Sequence, residues 1–125
     1  MSSAADRVRA KGILDTFCGQ KMTYEPVNDS HFDANLFNEQ DRFIGFAKIF
    51  SQPGNFGNNP IVEISKAAVD FLYELGLLMA KKPAAIIKFR NKVAYLRLEH
   101  VNYGVGEGRR EQVYKIPIGE FKLCT

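Results

Sequence analysis

Residues 84–101 run Ala84-Ala-Ile-Ile-Lys-Phe-Arg-Asn-Lys-Val-Ala-Tyr-Leu-Arg-Leu-Glu-His-Val101, two largely apolar runs on either side of a polar Asn91-Lys92 pair. Taken as a hairpin with Asn91-Lys92 as a two-residue turn, the stretch sets Arg90 opposite Val93 and Phe89 opposite Ala94. Asn91 tolerates the left-handed backbone such a turn needs, although lysine is a weaker second residue than glycine. Side chains alternate along a strand, so Ala85, Ile87, Phe89, Ala94, Leu96 and Leu98 share one face, and all six are apolar. The other face takes Ile86, Lys88, Arg90, Val93, Tyr95, Arg97 and Glu99. A slip of one residue would mix the two sets, so the pattern strongly specifies which side chains face inward.

Outward from the hairpin, the segment before it is helical. Ser65 is a good N-cap for Lys66–Met79, and Ala68, Leu72, Leu75 and Met79 recur on one side, widened by Val69 and Phe71. Gly76 is placed to end that helix early, and Pro83 bars its extension. Ile61–Ile64 is a brief strand, and Ser51–Asn59 is a loop by its glycines, asparagines and Pro53. Arg42–Phe50 is apolar on both faces, as suits a strand central in its sheet, and Gly45 marks a bulge or the close approach of another backbone. Asn28–Gln40 is polar and offers one turn of helix around Asn35–Asn38, while Lys21–Val27 is a short strand. At the start, Ser3 and Asp6 fit a capping box for a helix with Ala10, Leu14 and Phe17, and Val8 nearby, on its apolar side, stopped by Gly19. After the hairpin, Glu111–Ile118 pairs back as a strand with Pro117 at an edge or bulge, and Phe121–Cys124 adds a short last one. The expected fold is α+β: a single domain over residues 1–125, a mainly antiparallel sheet of about five strands with two helices packed on it.

The composition agrees. With 125 residues, 46% hydrophobic and 25% charged, the chain can bury a core without disulfides. Its two cysteines, Cys18 and Cys124, lie near opposite ends and have neither C-x-x-C nor zinc-ligand spacing, which points to reduced thiols. No apolar run approaches the ~20 residues of a membrane span, and the first residues carry no apolar signal region. A cytoplasmic, reducing setting without a membrane partner is the expectation. The net charge of +3 conceals a split: residues 1–80 carry seven Lys/Arg and ten Asp/Glu, a net of −3, while residues 81–125 carry ten and four, a net of +6. An anionic partner would meet the second part, although a solvated face with no partner carries the same signature.

The outer face of the hairpin gives such a partner a chemistry. In the expected register Lys88 lies opposite Tyr95, with Arg90 and Arg97 as diagonal neighbours. Cations neutralise phosphates, and a ring stacked on a base contributes about 1–3 kcal/mol. Asn102–Arg110 alternates glycines, has Tyr103 at its entry and ends in Arg109-Arg110, as a mobile hairpin loop able to close over a nucleic-acid backbone would. Phe56, between Gly54 and Gly57, is a further ring that either stacks on a base or folds back onto the core. The expected contact set is therefore Lys88, Arg90, Tyr95, Arg97, Arg109, Arg110, Tyr103 and Phe56. It favours single strands or backbone contacts, because no helix has the basic face that entry to a major groove wants. The alternative is a protein-interaction or assembly module, either a homodimer or an inhibitor of a partner protein, with an edge strand or Arg42–Phe50 completed by another chain.

Ile61-Val-Glu-Ile-Ser-Lys-Ala-Ala68, a helix ending Leu75-Gly-Leu77, and a hairpin together resemble the strand–helix–hairpin of swapped-hairpin DNA-binding proteins. The helix is longer than that family's and the Gly-Asp turn after it is missing, so the resemblance assigns no membership. No catalytic constellation stands out. The loop at 104–110 is neither a Walker loop nor a G-x-G-x-x-G fingerprint, so no nucleotide cofactor is expected. Asp29, His31 and Asp33 would share a face of a strand and could ligate a cation, but the residues around them are turn formers, and no metal is expected. Glu120-x-Lys122 lacks the Pro-Asp element that precedes it in the nuclease pattern, and His100 follows inward-facing positions, as a structural histidine would.

Overall fold

In the computed structural model, which describes residues 4–124, helix α1 (Ala4–Cys18) leads into strands β1 (Thr23–Pro26), β2 (Ala34–Phe37), β3 (Phe43–Ser51) and β4 (Ile61–Ser65). Helix α2 (Lys66–Met79) follows, then β5 (Lys82–Lys88), β6 (Val93–Arg97), β7 (Gly104–Glu107), β8 (Gln112–Pro117), a 3-10 turn (Ile118–Glu120) and β9 (Lys122–Leu123). The fold is α+β, with one sheet in the order β1-β2-β3-β5-β6-β9 and a smaller one in the order β4-β8-β7. The large sheet is mixed: β3 and β5 run parallel, from Gly45 beside Lys82 to Ser51 beside Lys88.

Two sheets replace the single sheet expected, partly because two segments that composition marks as polar or flexible are strands. In β2 the buried Ala34 and Leu36 alternate with half-buried Asn35 and Phe37, so the expected helical turn is absent. Asn38 instead ends the strand, its Oδ1 accepting from the Gln40 and Arg42 N–H groups at 3.0 and 2.9 Å. β7 (Gly104–Glu107) occupies the middle of the expected mobile loop. A Cβ on Gly106 would stand 2.3 Å from Lys115 Cε on β8, so this glycine makes room for a cross-strand neighbour. Only Gly108–Glu111 remain as the turn, closed by the Gly108 N–H donating to Glu111 O at 2.8 Å.

The β5–β6 hairpin forms with the expected faces and a different turn. Lys88 faces Val93, Ile87 faces Ala94 and Ile86 faces Tyr95. The loop is thus Phe89–Lys92, closed by the Phe89 N–H donating to Lys92 O at 2.9 Å. The register is displaced by two residues, which returns every side chain to its original face, so patterning does not distinguish the two arrangements. Asn-Lys without glycine does not hold the tighter turn.

Both faces of this hairpin are covered. Ala85, Ile87, Phe89, Ala94, Leu96 and Leu98 enter a core with Phe46, with Val69 and Leu72 of α2, and with Ile64, Tyr114 and Ile116 of the small sheet. On the opposite face Ala84 and Ile86 lie beneath Ile13, Leu14 and Phe17 of α1, and Val93 and Tyr95 pack against the same group. The expected open outer face is therefore only partly open: Arg90, Arg97 and Glu99 are exposed, Lys88, Val93 and Tyr95 are half-buried, and Ile86 is 0% exposed, as is Ile87 behind it. Burying each contributes about 1.5–3 kcal/mol.

Only the second half of α1 does this covering. Residues 4–9 are exposed, Val8 among them, while Ile13, Leu14, Phe17 and Cys18 are buried. Gly19 ends the helix with φ 56°, and the expected cap at Ser3 lies outside the described residues. Helix α2 is capped as expected, the Ser65 Oγ accepting from the Ala68 N–H at 3.2 Å. It runs past Gly76 to end at a left-handed Ala80. Gly76 serves packing instead, since a Cβ there would lie 2.8 Å from Pro83 Cδ. The buried side of α2 is Val69, Leu72 and Gly76, and Phe71 and Met79 are exposed, contrary to expectation.

At Gly45 a Cβ would lie 1.9 Å from the Lys82 carbonyl oxygen, so glycine lets β5 approach β3 there. With β2 along Phe43–Ala47 on one side and β5 along Gly45–Ser51 on the other, β3 is central, as its apolar faces imply. No described helix is long and apolar enough to cross a membrane.

Candidate nucleic-acid interface

The expected contact residues fall into two groups. The first surrounds the hairpin tip. The Lys88 Nζ donates to the Phe89 carbonyl and, at 3.3 Å, to that of Arg90, which bends this half-buried side chain over the turn. Arg90 and Lys92 are exposed on the turn itself. The loop after β3 braces it: the Arg90 N–H donates to Gly54 O at 2.8 Å, and the Phe56 N–H to Asn91 Oδ1 at 2.9 Å. Phe56 is the ring that folds back, meeting Phe89 edge-on at 5.2 Å within the core, so it is not a free stacking platform.

A chain of hydrogen bonds carries this end of the molecule to Arg109 and Arg110. Gln52 Nε2, in the bracing loop, donates to Glu63 O on β4 at 2.8 Å, and two residues later Ser65 Oγ donates to Glu111 in the β7–β8 turn. Arg109 and Arg110 are exposed on that turn. Helix α1 adds a cation that no sequence motif marks. Arg9 Nη2 donates to Ser51 Oγ at 2.8 Å, and Ser51 sits beside Lys88 in the β3–β5 register. Forty-two positions separate Arg9 from Ser51, and no local pattern signals such a contact.

The second group lies around the other end of β6. Tyr95 is half-buried, edge-on to Phe17 at 5.4 Å, with the Arg97 guanidinium 5.8 Å from its ring centre. Its cross-strand neighbours are Ile86 and Lys122; Lys88, the expected partner, faces Val93. Tyr95, Arg97, His100, Tyr103, Glu120 and Lys122 help line an open cleft of about 320 Å³. His100 is exposed there, which corrects its expected inward position. Tyr103 leans edge-on to Tyr114 at 6.1 Å, and burial, with Glu120 nearby, raises its phenol above the ordinary value. Two carboxylates share this cleft with its cations.

Electrostatics separate the two parts of the chain. Ion pairs among the described residues include Lys11–Asp15 at 2.8 Å, His31–Asp29 at 3.1 Å and Lys66–Asp70 at 2.6 Å. None involves any of the ten lysines and arginines after residue 80. Asp70 also accepts from the Tyr114 hydroxyl. Burial acts to raise its pKa, but the hydrogen bonds from Lys66 and Tyr114 outweigh this and hold it below the ordinary carboxylate value. Asp29 accepts from the His31 N–H at 2.7 Å, whereas Asp33 turns away to accept from the Ile49 N–H at 2.7 Å. These two acids thus serve separate parts of the backbone. No known protein-family profile matches the chain, and no curated protein sequence matches it at a significant level.

Proposed function

We propose that this protein binds nucleic acid through its phosphates, using the end of the molecule that carries Arg9, Lys88, Arg90, Lys92, Arg109 and Arg110. The observation that carries the reading is that, among the described residues, none of these six cations has a carboxylate partner, although the chain holds 14 Asp and Glu. Guanidinium and ammonium groups without a carboxylate partner neutralise phosphates without first breaking an internal salt bridge. Stacking contributes little in this reading, because Phe56, Tyr95 and Tyr103 each lean on another aromatic ring. A flexible single strand suits two separated turns better than a duplex groove, which wants an inserted helix or ribbon. The two free cysteines fit a reducing, cytoplasmic setting.

The test is fluorescence anisotropy with single-stranded and duplex DNA and RNA. The variant R90A/K92A/R109A/R110A is expected to bind single strands at least tenfold more weakly than the parent, and R97A/K122A to match the parent. Equal affinity of the parent and the fourfold variant would remove this assignment.

A second reading is favoured by α2. Its last turn, Leu77-Leu78-Met79, is exposed by 66%, 84% and 44%, and Phe71 one to two turns earlier by 38%. A helix end that is apolar all round and open to water suits an assembly surface, in a homodimer or against another protein. Light scattering on the parent and L78E checks it: a dimer in the first and a monomer in the second are expected, and a monomeric parent would leave no homodimer to explain.

A further inference from the structure

Cys18 and Cys124 stand at opposite ends of the sequence and meet in one cluster. Cys18 is the last residue of α1 and is buried next to Phe17, which touches Tyr95 of β6. Cys124 follows β9, and its N–H donates to Val93 O at 2.9 Å. Extending the register in which Lys122 faces Tyr95 sets Cys124 opposite Val93, on the face of the sheet that α1 covers. There it packs against the group that contains Cys18. Burial, then Asp15 and then Cys124 itself push the Cys18 thiol up to about 11, which agrees with two thiols close enough to sense each other's charge. Both are free thiols, and neither belongs to the proposed interface.

We propose that Cys18 and Cys124 are a disulfide-forming pair, a redox latch that ties the end of α1 to the last strand. The oxidant is a low-molecular-weight disulfide. Cys124, which is half-buried where Cys18 is buried, reacts first. Its thiolate attacks one sulfur of the small disulfide, and the other sulfur leaves as a thiolate. The Cys18 thiolate then attacks the Cys124 sulfur of the mixed disulfide and expels the second small thiolate. Two thiol protons go to solvent and two electrons to the oxidant. Because only the thiolate attacks, and burial and Asp15 still hold the Cys18 thiol above its ordinary value once Cys124 is in the mixed disulfide, the closing step speeds up about tenfold per pH unit through mildly alkaline pH.

Incubating the folded protein with oxidised glutathione, followed by peptide mapping without reduction, tests the pair. An internal Cys18–Cys124 crosslink is expected, closing faster at higher pH. It should raise the melting temperature on the order of 10 °C, since it closes nearly the whole chain into a loop, and reduction should reverse both effects. In C18S the reaction should stop at a glutathione adduct on Cys124. The pair is overturned if the parent stops at that same adduct or forms disulfides only between copies. It is equally overturned if Cys124 stays unreacted in the folded protein while both thiols react once it is unfolded.

Discussion

Lys66 and Arg110 lie at the same end of the molecule and live in different electrostatic worlds. Lys66 is held by Asp70, which also holds Tyr114, and its ammonium lies 5.5 Å from the Tyr114 ring centre. Arg110 stands exposed on a four-residue turn with no acid of the described residues within ion-pair reach. The same contrast runs through the chain: residues 1–80 hold the ion pairs of Lys11, His31 and Lys66, and among the described residues the cations after residue 80 hold none. A cation that has its counter-ion contributes to the fold. One that lacks it remains available to a partner, and its charge matters most at low salt.

The widest test of this contrast is ionic strength. If about six phosphates are neutralised, affinity for an oligonucleotide should fall about a thousandfold between 50 and 200 mM salt. A flat salt dependence in titrations followed by anisotropy would break the comparison outright. Next in size, R109A/R110A should weaken binding about tenfold and reduce the salt slope by about two, because each removed phosphate contact lowers the slope by roughly one. Charge loss in the first part should act on stability instead. D70N leaves Lys66 without its counter-charge and is expected to lose about 1–2 kcal/mol in urea unfolding, with oligonucleotide affinity unchanged. Acid gives the same separation without mutation. Asp15, Asp29 and Asp70 all have folded pKa values below the ordinary one, so their contribution is present above pH ~4 and is lost as the pH falls through the folded values. All three lie before residue 80. The smallest effect belongs to K11A: its partner Asp15 is solvent-exposed and also bonded by Tyr24, so neither melting temperature nor binding should move measurably.

How much of this was legible in the sequence differs from element to element. The faces of β5 and β6 were legible because burial imposes a period of two, and a core on one side makes any odd slip costly. The turn was not, because an even slip leaves that pattern intact and the choice falls to Asn91-Lys92, which lacks glycine. Strand β3 showed itself as central through two apolar faces, and Ser65 through its place before an apolar helix. The cover over the second face of the hairpin was hidden. α1 has a recognisable apolar stripe, but nothing local says which surface a stripe will meet. The contact set suffered from that. Tyr95 and Lys88 looked like neighbours on open water, yet one lies against Phe17 and the other folds back on its own turn. Arg109 and Arg110 were legible as exposed cations, whereas the bonds that join their turn to the hairpin tip run through Gln52, Glu63, Ser65 and Glu111, far apart in the chain.

The absent side chain at position 45 also has a bearing on how freely this protein can vary. Where the pairing of β3 with β5 begins, the volume that a methyl would fill already belongs to the Lys82 carbonyl, and a backbone atom has no alternative rotamer to retreat into. A saturation library would therefore return a nearly empty column at that codon, flanked by columns at Ile44 and Phe46 that still admit other large apolar residues.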